Sequence, residues 1–162
     1  MDTEFIIRVI ADGAVVPIVL IGAWALIFYT PKESRYQDYS KVLMAGLTAF
    51  LFAKLIGFVY QPAVVRPFQE LGVDAGASFL DNPGFPSDHM LFTTAIVLAV
   101  WFITKNKTAT IILALLAVLV GLGRVLALVH TPLDIIGGVA IACLGALWYL
   151  QPENAKKSTS EE

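Results

Sequence analysis

The chain has 162 residues, 57% of them hydrophobic and 15% charged, with a formal net charge of -2 and a mean hydropathy of +0.75. Soluble domains average about 45–50% apolar and about 25% charged residues, and a domain this small lacks the interior to hide so much apolar surface. The composition excludes a disordered chain and a nucleic-acid binder, and it points to a chain embedded in the lipid bilayer.

The start, Met1-Asp2-Thr3-Glu4, is acidic. A secretory leader opens on basic residues, so the apolar run that follows reads as a retained span. Five runs approach the roughly 20 residues a bilayer-crossing helix needs. The first covers residues 14–29 and extends back through residues 5–11; alternatively, residues 3–12 form a separate interfacial helix. The second covers 42–60 and contains Lys54, and the third covers 90–104. The fourth covers 108–129 and contains Arg124, and the fifth covers 132–150 and contains Asp134. The expected architecture is all-α: an integral membrane bundle of five helices, or six with the interfacial one. Residues 1–150 form a single domain, and residues 151–162 a polar, disordered cytoplasmic tail. Cys143 is the single cysteine, so no intrachain disulfide forms.

The connections assign the faces. The 30–41 loop carries Lys32, Arg35 and Lys41, the 105–107 turn carries Lys105 and Lys107, and the tail carries Lys156 and Lys157. Five spans place these three segments on one side, which the positive-inside rule makes cytoplasmic. The other side holds the long loop 61–86 and the 130–131 turn, with Arg66 as the one cation in its loops. Tryptophans and the tyrosines near span ends read as interface anchors. Gly121, Gly123 and the Gly137-Gly138 pair read as points of close helix packing. Arg8 and Asp12, four residues apart, read as a pair on one helix face.

Lys54 lies six residues before the outer end of the second run, and Arg124 six before His130. Both therefore sit about 9 Å below the outer surface. Cations at that depth are costly and mark functional sites unless a buried carboxylate such as Asp12 or Asp134 neutralises them or they snorkel outward. The two histidines of the chain, His89 and His130, fall at helix ends on the same face. Ser87 reads as an N-cap that puts His89 in the first turn of the third span, where outward-pointing amides cradle an anion. Thr131 reads as an N-cap with Pro132 at the first helical position and Asp134 completing a capping box. A carboxylate that also reaches His130 would fix the ring's tautomer and leave its other nitrogen free to attack. Cations, amides and two imidazoles are equipment for phosphoryl transfer. The pattern calls for no cofactor and no metal, because the histidines lie far apart in sequence with no carboxylate cluster at ligand spacing.

Arg66-Pro67-Phe68, then Phe85-Pro86-Ser87-Asp88-His89, then Arg124 with His130 six residues on and Asp134 four further, resemble the three motifs of the type 2 phosphatidic acid phosphatase (PAP2) superfamily. Asp88, where many members have glycine, is similar to the undecaprenyl pyrophosphate phosphatases of the bacitracin-resistance type. The resemblance implies that His130 is the nucleophile, Asp134 orients it and His89 is the general acid. It further implies that Lys54, Arg66 and Arg124 clamp phosphate with Ser87, Asp88 and neighbouring amides beside them. Three features depart from the family pattern. Eleven residues separate Lys54 from Arg66 where the family has six, Gly123 stands where the family often has serine, and the family commonly has six spans.

The resemblance therefore implies a metal-independent lipid phosphatase of the cell membrane. It hydrolyses a polyprenyl pyrophosphate, undecaprenyl pyrophosphate, to the monophosphate at the extracytoplasmic face through a phosphohistidine. One alternative changes the lipid to phosphatidic acid or phosphatidylglycerophosphate. Another is a non-catalytic protein that binds or flips an anionic lipid, which needs the cations but not a paired His130 and Asp134.

Overall fold

The apolar stretch that Gly13 and Pro17 interrupt folds as one helix, α1 (Thr3–Tyr29). Pro17 has no amide proton for the carbonyl of Gly13, and the chain absorbs the mismatch in a wide turn at Val9–Gly13, where the Ala14 amide donates to the Val9 carbonyl at 3.1 Å. A separate interfacial helix over residues 3–12 is thus corrected to the first turns of a continuous span. The computed structural model describes residues 2–63, 65–82 and 84–151; the tail expected over 151–162 falls, beyond Gln151, outside them. The other helices are α2 (Arg35–Val59), α3 (Pro67–Leu71), α4 (Asp88–Thr104), α5 (Lys107–Leu126) and α6 (Pro132–Leu150). No strand occurs among the described residues. α1, α2, α5 and α6 are long and apolar enough to cross a membrane, α4 is a shorter apolar helix, and α3 is a five-residue turn of helix in the long loop. The chain is an all-α, multi-pass membrane bundle.

α4 is the axis of the bundle and packs on α1, α2, α5 and α6. On one flank Ile18 and Ala25 of α1 meet Met90 and Val100 of α4 and Leu113, Ala117 and Val120 of α5. On the other, Ala49 and Ala53 of α2 meet Leu91 of α4 and Ile141 and Ala142 of α6. Among the described residues, alanines make up more than half of the buried apolar ones, whereas Leu20, Phe28, Leu43, Leu55, Phe58 and Leu115 point outward. Small residues inside and large ones outside is the arrangement expected where lipid solvates the exterior and close backbone approach holds the interior.

The glycines expected to permit close packing do so. A Cβ on Gly138 would stand 2.7 Å from the Ser87 carbonyl oxygen, and one on Gly121 3.1 Å from Met90 Sδ. Trp148 is more than an interface anchor: its indole N–H donates to Thr48 Oγ1 at 2.8 Å, tying α6 to α2.

The fourth span ends at Leu126, three residues before the end of its apolar run. Leu128 then adopts the left-handed conformation, φ 59°, which costs a non-glycine residue about 1 kcal/mol or more. Hydrophobicity could not signal this end, because Ala127-Leu128-Val129 is itself apolar. The turn leaves the helix to receive the long loop: Phe68 N–H donates to the Leu128 carbonyl at 3.0 Å, and Gly76 N–H to the Ala127 carbonyl at 3.0 Å. Ala11, Phe68, Ala77, Ala127 and Val129 fill the space beneath. The long loop is thereby fastened over the ends of α1 and α5, where the charged side chains gather.

Candidate active site

His130 closes the α5–α6 connection, and the capping box expected at Thr131 is present. Thr131 N–H donates to Asp134 Oδ2 at 2.7 Å, and Asp134 N–H donates to Thr131 Oγ1 at 3.2 Å. The same Oδ2 lies 3.4 Å from His130 Nδ1. The approach falls short of an aligned hydrogen bond, and Nδ1 has no hydrogen-bond partner among the described residues. Both side chains are buried. Burial is the largest influence on the imidazole and depresses its pKa below the ordinary histidine range; Asp134 opposes this, while Arg124 and Arg66 add to it.

The buried ring is therefore neutral where a free histidine is half protonated. Protons bind the unfolded chain first, so this group's contribution to stability is lost as pH falls from about 6.5 toward the folded pKa. In a His89→Gln variant the one remaining imidazole is expected to titrate below about pH 6.5 by NMR; a midpoint at or above that value contradicts the burial argument.

Arg66 is buried at the start of α3, the short loop helix. Its Nη1 donates to the Val129 carbonyl at 2.6 Å. Its Nη2 reaches the Leu80 and Asn82 carbonyls at 3.1 Å each and Asn82 Oδ1 at 3.0 Å. The guanidinium also lies over the Phe79 ring, 5.5 Å from its centroid. Desolvation lowers the pKa of Arg66, against the opposing pull of Asp134, Asp88 and Asp81.

Arg124, on the last turn of α5, is 1% exposed. Its Nη1 donates to Asp12 Oδ1 at 2.8 Å and to the Ser78 carbonyl at 2.7 Å, and its Nε is buried without a partner among the described residues. The expected Arg8–Asp12 pair is corrected by this contact. The wide turn in α1 presents Asp12 to Arg124, and the second carboxylate oxygen accepts from Ser78 N–H at 2.9 Å. The neutralising carboxylate named as one alternative for Arg124 is thus Asp12.

His89, His130, Arg66, Arg124 and Asp88 line a single cavity of about 300 Å³, roofed by residues 78–82 of the long loop. Ser87 stands at the N-cap position of α4, but its hydroxyl does not cap. It is fully buried and has no hydrogen-bond partner among the described residues. Its backbone N–H instead donates to the Asp134 carbonyl at 3.0 Å, docking the start of α4 on α6. Phe85-Pro86 is a cis peptide.

Lys54 is not in the wall of this cavity. It borders an adjoining cleft of about 250 Å³ with Gln61 and Phe58, and Asp88 belongs to both walls. The Lys54 ammonium donates to Asp88 Oδ1 at 3.0 Å and Oδ2 at 3.2 Å, with both side chains substantially solvated. Gly123 has no room for a side chain, since a Cβ would stand 2.8 Å from the Ala11 nitrogen. The seryl hydroxyl missing at that position is displaced by the backbone of α1.

Sequence reasoning missed Asn82 and the Ser78–Leu80 backbone, which read as ordinary loop. Asparagine beside a proline-rich segment was the one signal, and it marks turns far more often than sites. The cavity thus combines two buried guanidinium groups, two imidazoles and a carboxylate behind one of them. It can hold an anion and offers a nucleophile and a proton donor on its walls.

The family model described as the PAP2 superfamily matches residues 39–157. An Escherichia coli (strain K12) protein named "Putative undecaprenyl-diphosphatase YbjG" is 36% identical over 140 residues, covering 82% of this chain and 64% of that relative. The chain therefore spans less than two thirds of that relative's length. No solved structure matches. The matched region holds both histidines, both buried arginines and Asp134, and the chain belongs to the PAP2 superfamily.

Proposed function

We propose that the chain is a metal-independent phosphatase of the cell membrane that hydrolyses a polyprenyl diphosphate, with undecaprenyl diphosphate the leading substrate, to the monophosphate. The observation that carries this reading is the convergence of His89, His130, Arg66 and Arg124 on one cavity, with Asp134 behind His130. With Asp134 Oδ2 beside Nδ1 of His130, Nε2 attacks the terminal phosphorus. The P–O bond to the lipid monophosphate breaks, and His89 gives its proton to the departing oxygen. Arg66 and Arg124 neutralise charge on the equatorial oxygens as it builds, and the buried Ser87 hydroxyl, left without a partner among the described residues at the start of α4, is a further donor. Water, deprotonated by His89, then cleaves the phosphohistidine and releases inorganic phosphate. Lys54 takes the adjoining position, next to Asp88, rather than the centre of the clamp. The charge bias of the loops supports a site on the extracytoplasmic face.

The test is phosphate release by the purified protein in excess EDTA. Undecaprenyl diphosphate is expected to be consumed in preference to phosphatidic acid or phosphatidylglycerophosphate when the lipids compete. Turnover that requires an added metal, or that favours the phospholipid substrates, rejects the corresponding part of the reading.

A further inference from the structure

Residues 3–29 lie outside the region that the family model matches, yet α1 supplies the carboxylate that holds a buried arginine of the cavity. Four observations converge on Asp12. The wide turn at Val9–Gly13 sets it out of the regular helical series. Oδ1 takes Arg124 Nη1 at 2.8 Å. Oδ2 takes the Ser78 amide at 2.9 Å, while the Ser78 carbonyl takes Arg124 Nη1 at 2.7 Å, so that carboxylate, guanidinium and roof close a ring. Gly123 then lets α1 come this near, its missing Cβ leaving space for the backbone of Ala11.

We infer that Asp12 is a positioning residue for the phosphate site, acting through Arg124. With Nη1 committed to Asp12 and Ser78, rotation of the guanidinium is blocked. The guanidinium lines the cavity, and its Nη2, which makes no hydrogen bond among the described residues, remains as a donor for an anion there. A charge-assisted pair of this kind fixes direction as well as charge. The same carboxylate secures the segment around Ser78, so one side chain fixes both the arginine and the roof of the cavity. The inference rests on the phosphatase reading only for the identity of the natural anion.

The experiment measures inorganic phosphate binding calorimetrically to the purified full chain in EDTA, for the parent, Asp12→Asn, Arg124→Gln and the double variant. Asp12→Asn is expected to raise the phosphate Kd about tenfold, and to add nothing once Arg124 is glutamine. Gly123→Ala leaves both charges in place and pushes α1 away; it is expected to give the same loss, and it decides the question if Asp12→Asn does not fold. An equal loss from Asp12→Asn in both backgrounds makes the residue merely structural and overturns the inference. An unchanged Kd in Asp12→Asn overturns it, as does a parent protein that binds no phosphate. A parent that binds phosphate without releasing it from lipid diphosphates refutes the phosphatase reading and leaves the Asp12 comparison readable.

Discussion

His130→Ala is expected to lower kcat by roughly 10⁴-fold or more, the scale seen when a covalent nucleophile is removed. The ring is enclosed, carries Asp134 at 3.4 Å on one nitrogen and faces a cavity with two guanidinium groups. Alanine leaves those groups in place, so phosphate affinity should change far less than turnover. Asp134 keeps its bond from Thr131 N–H, so the helix start and the fold survive. Two measurements check this: steady-state turnover, and trapping of a phosphoenzyme from labelled substrate. The parent should yield an acid-labile, base-stable adduct, as a phosphohistidine is, and the variant none. An acid-stable adduct would instead point to the buried Ser87 hydroxyl as nucleophile.

Gly138→Val is expected to be among the most damaging changes outside the charged residues. Its Cβ would stand 2.7 Å from the Ser87 carbonyl oxygen and 3.0 Å from the Leu91 nitrogen. Both obstacles are backbone, so neither can rotate aside. α4 and α6 must separate where Ser87 N–H meets the Asp134 carbonyl at 3.0 Å. Forced overpacking of this kind costs about 3 kcal/mol, or roughly 6–12 °C in Tm for a chain of this size. Activity should fall further than stability accounts for, because the strained joint sets His89 against His130. Gly46→Ala is the control: nothing stands within 4 Å of its added Cβ, and the loss of backbone entropy in the unfolded chain favours the variant by up to about 1 kcal/mol. Thermal unfolding in detergent of both variants separates the two cases; similar melting temperatures would mean that the α4–α6 contact does not limit stability.

Much of this architecture is legible in the residue order. Backbone groups in lipid must be paired internally, so each long apolar run had to be a helix, and the Thr131-Pro132-Leu133-Asp134 cap is a local interaction that a local pattern discloses. The convergence of His89, Arg66, Arg124 and His130 followed from motif order and from the span count that puts their segments at one end. What stayed hidden depends on contacts between distant segments. Asp12 and Arg124 are 112 residues apart, and nothing in either neighbourhood specifies the other; the pairing with Arg8 at helical spacing was the local solution, and tertiary packing overrode it. Lys54 matched the depth of Arg124, but depth along a helix says nothing about which way the side chain turns, and α2 directs it to Asp88. The end of α5 was invisible because the residues that break the helix are as apolar as those that continue it.

The bulk of side-chain volume in this bundle is carried on its perimeter, with alanine and glycine along the seams. Mutational tolerance should consequently run opposite to that of a water-soluble enzyme. Exchanges among leucine, phenylalanine, isoleucine and valine at perimeter positions such as Leu43, Leu55 or Leu115 should pass almost unnoticed in a deep scan, whereas adding a single methyl along the seams should be purged. Drift among relatives of this chain would then concentrate on its largest residues and spare its smallest.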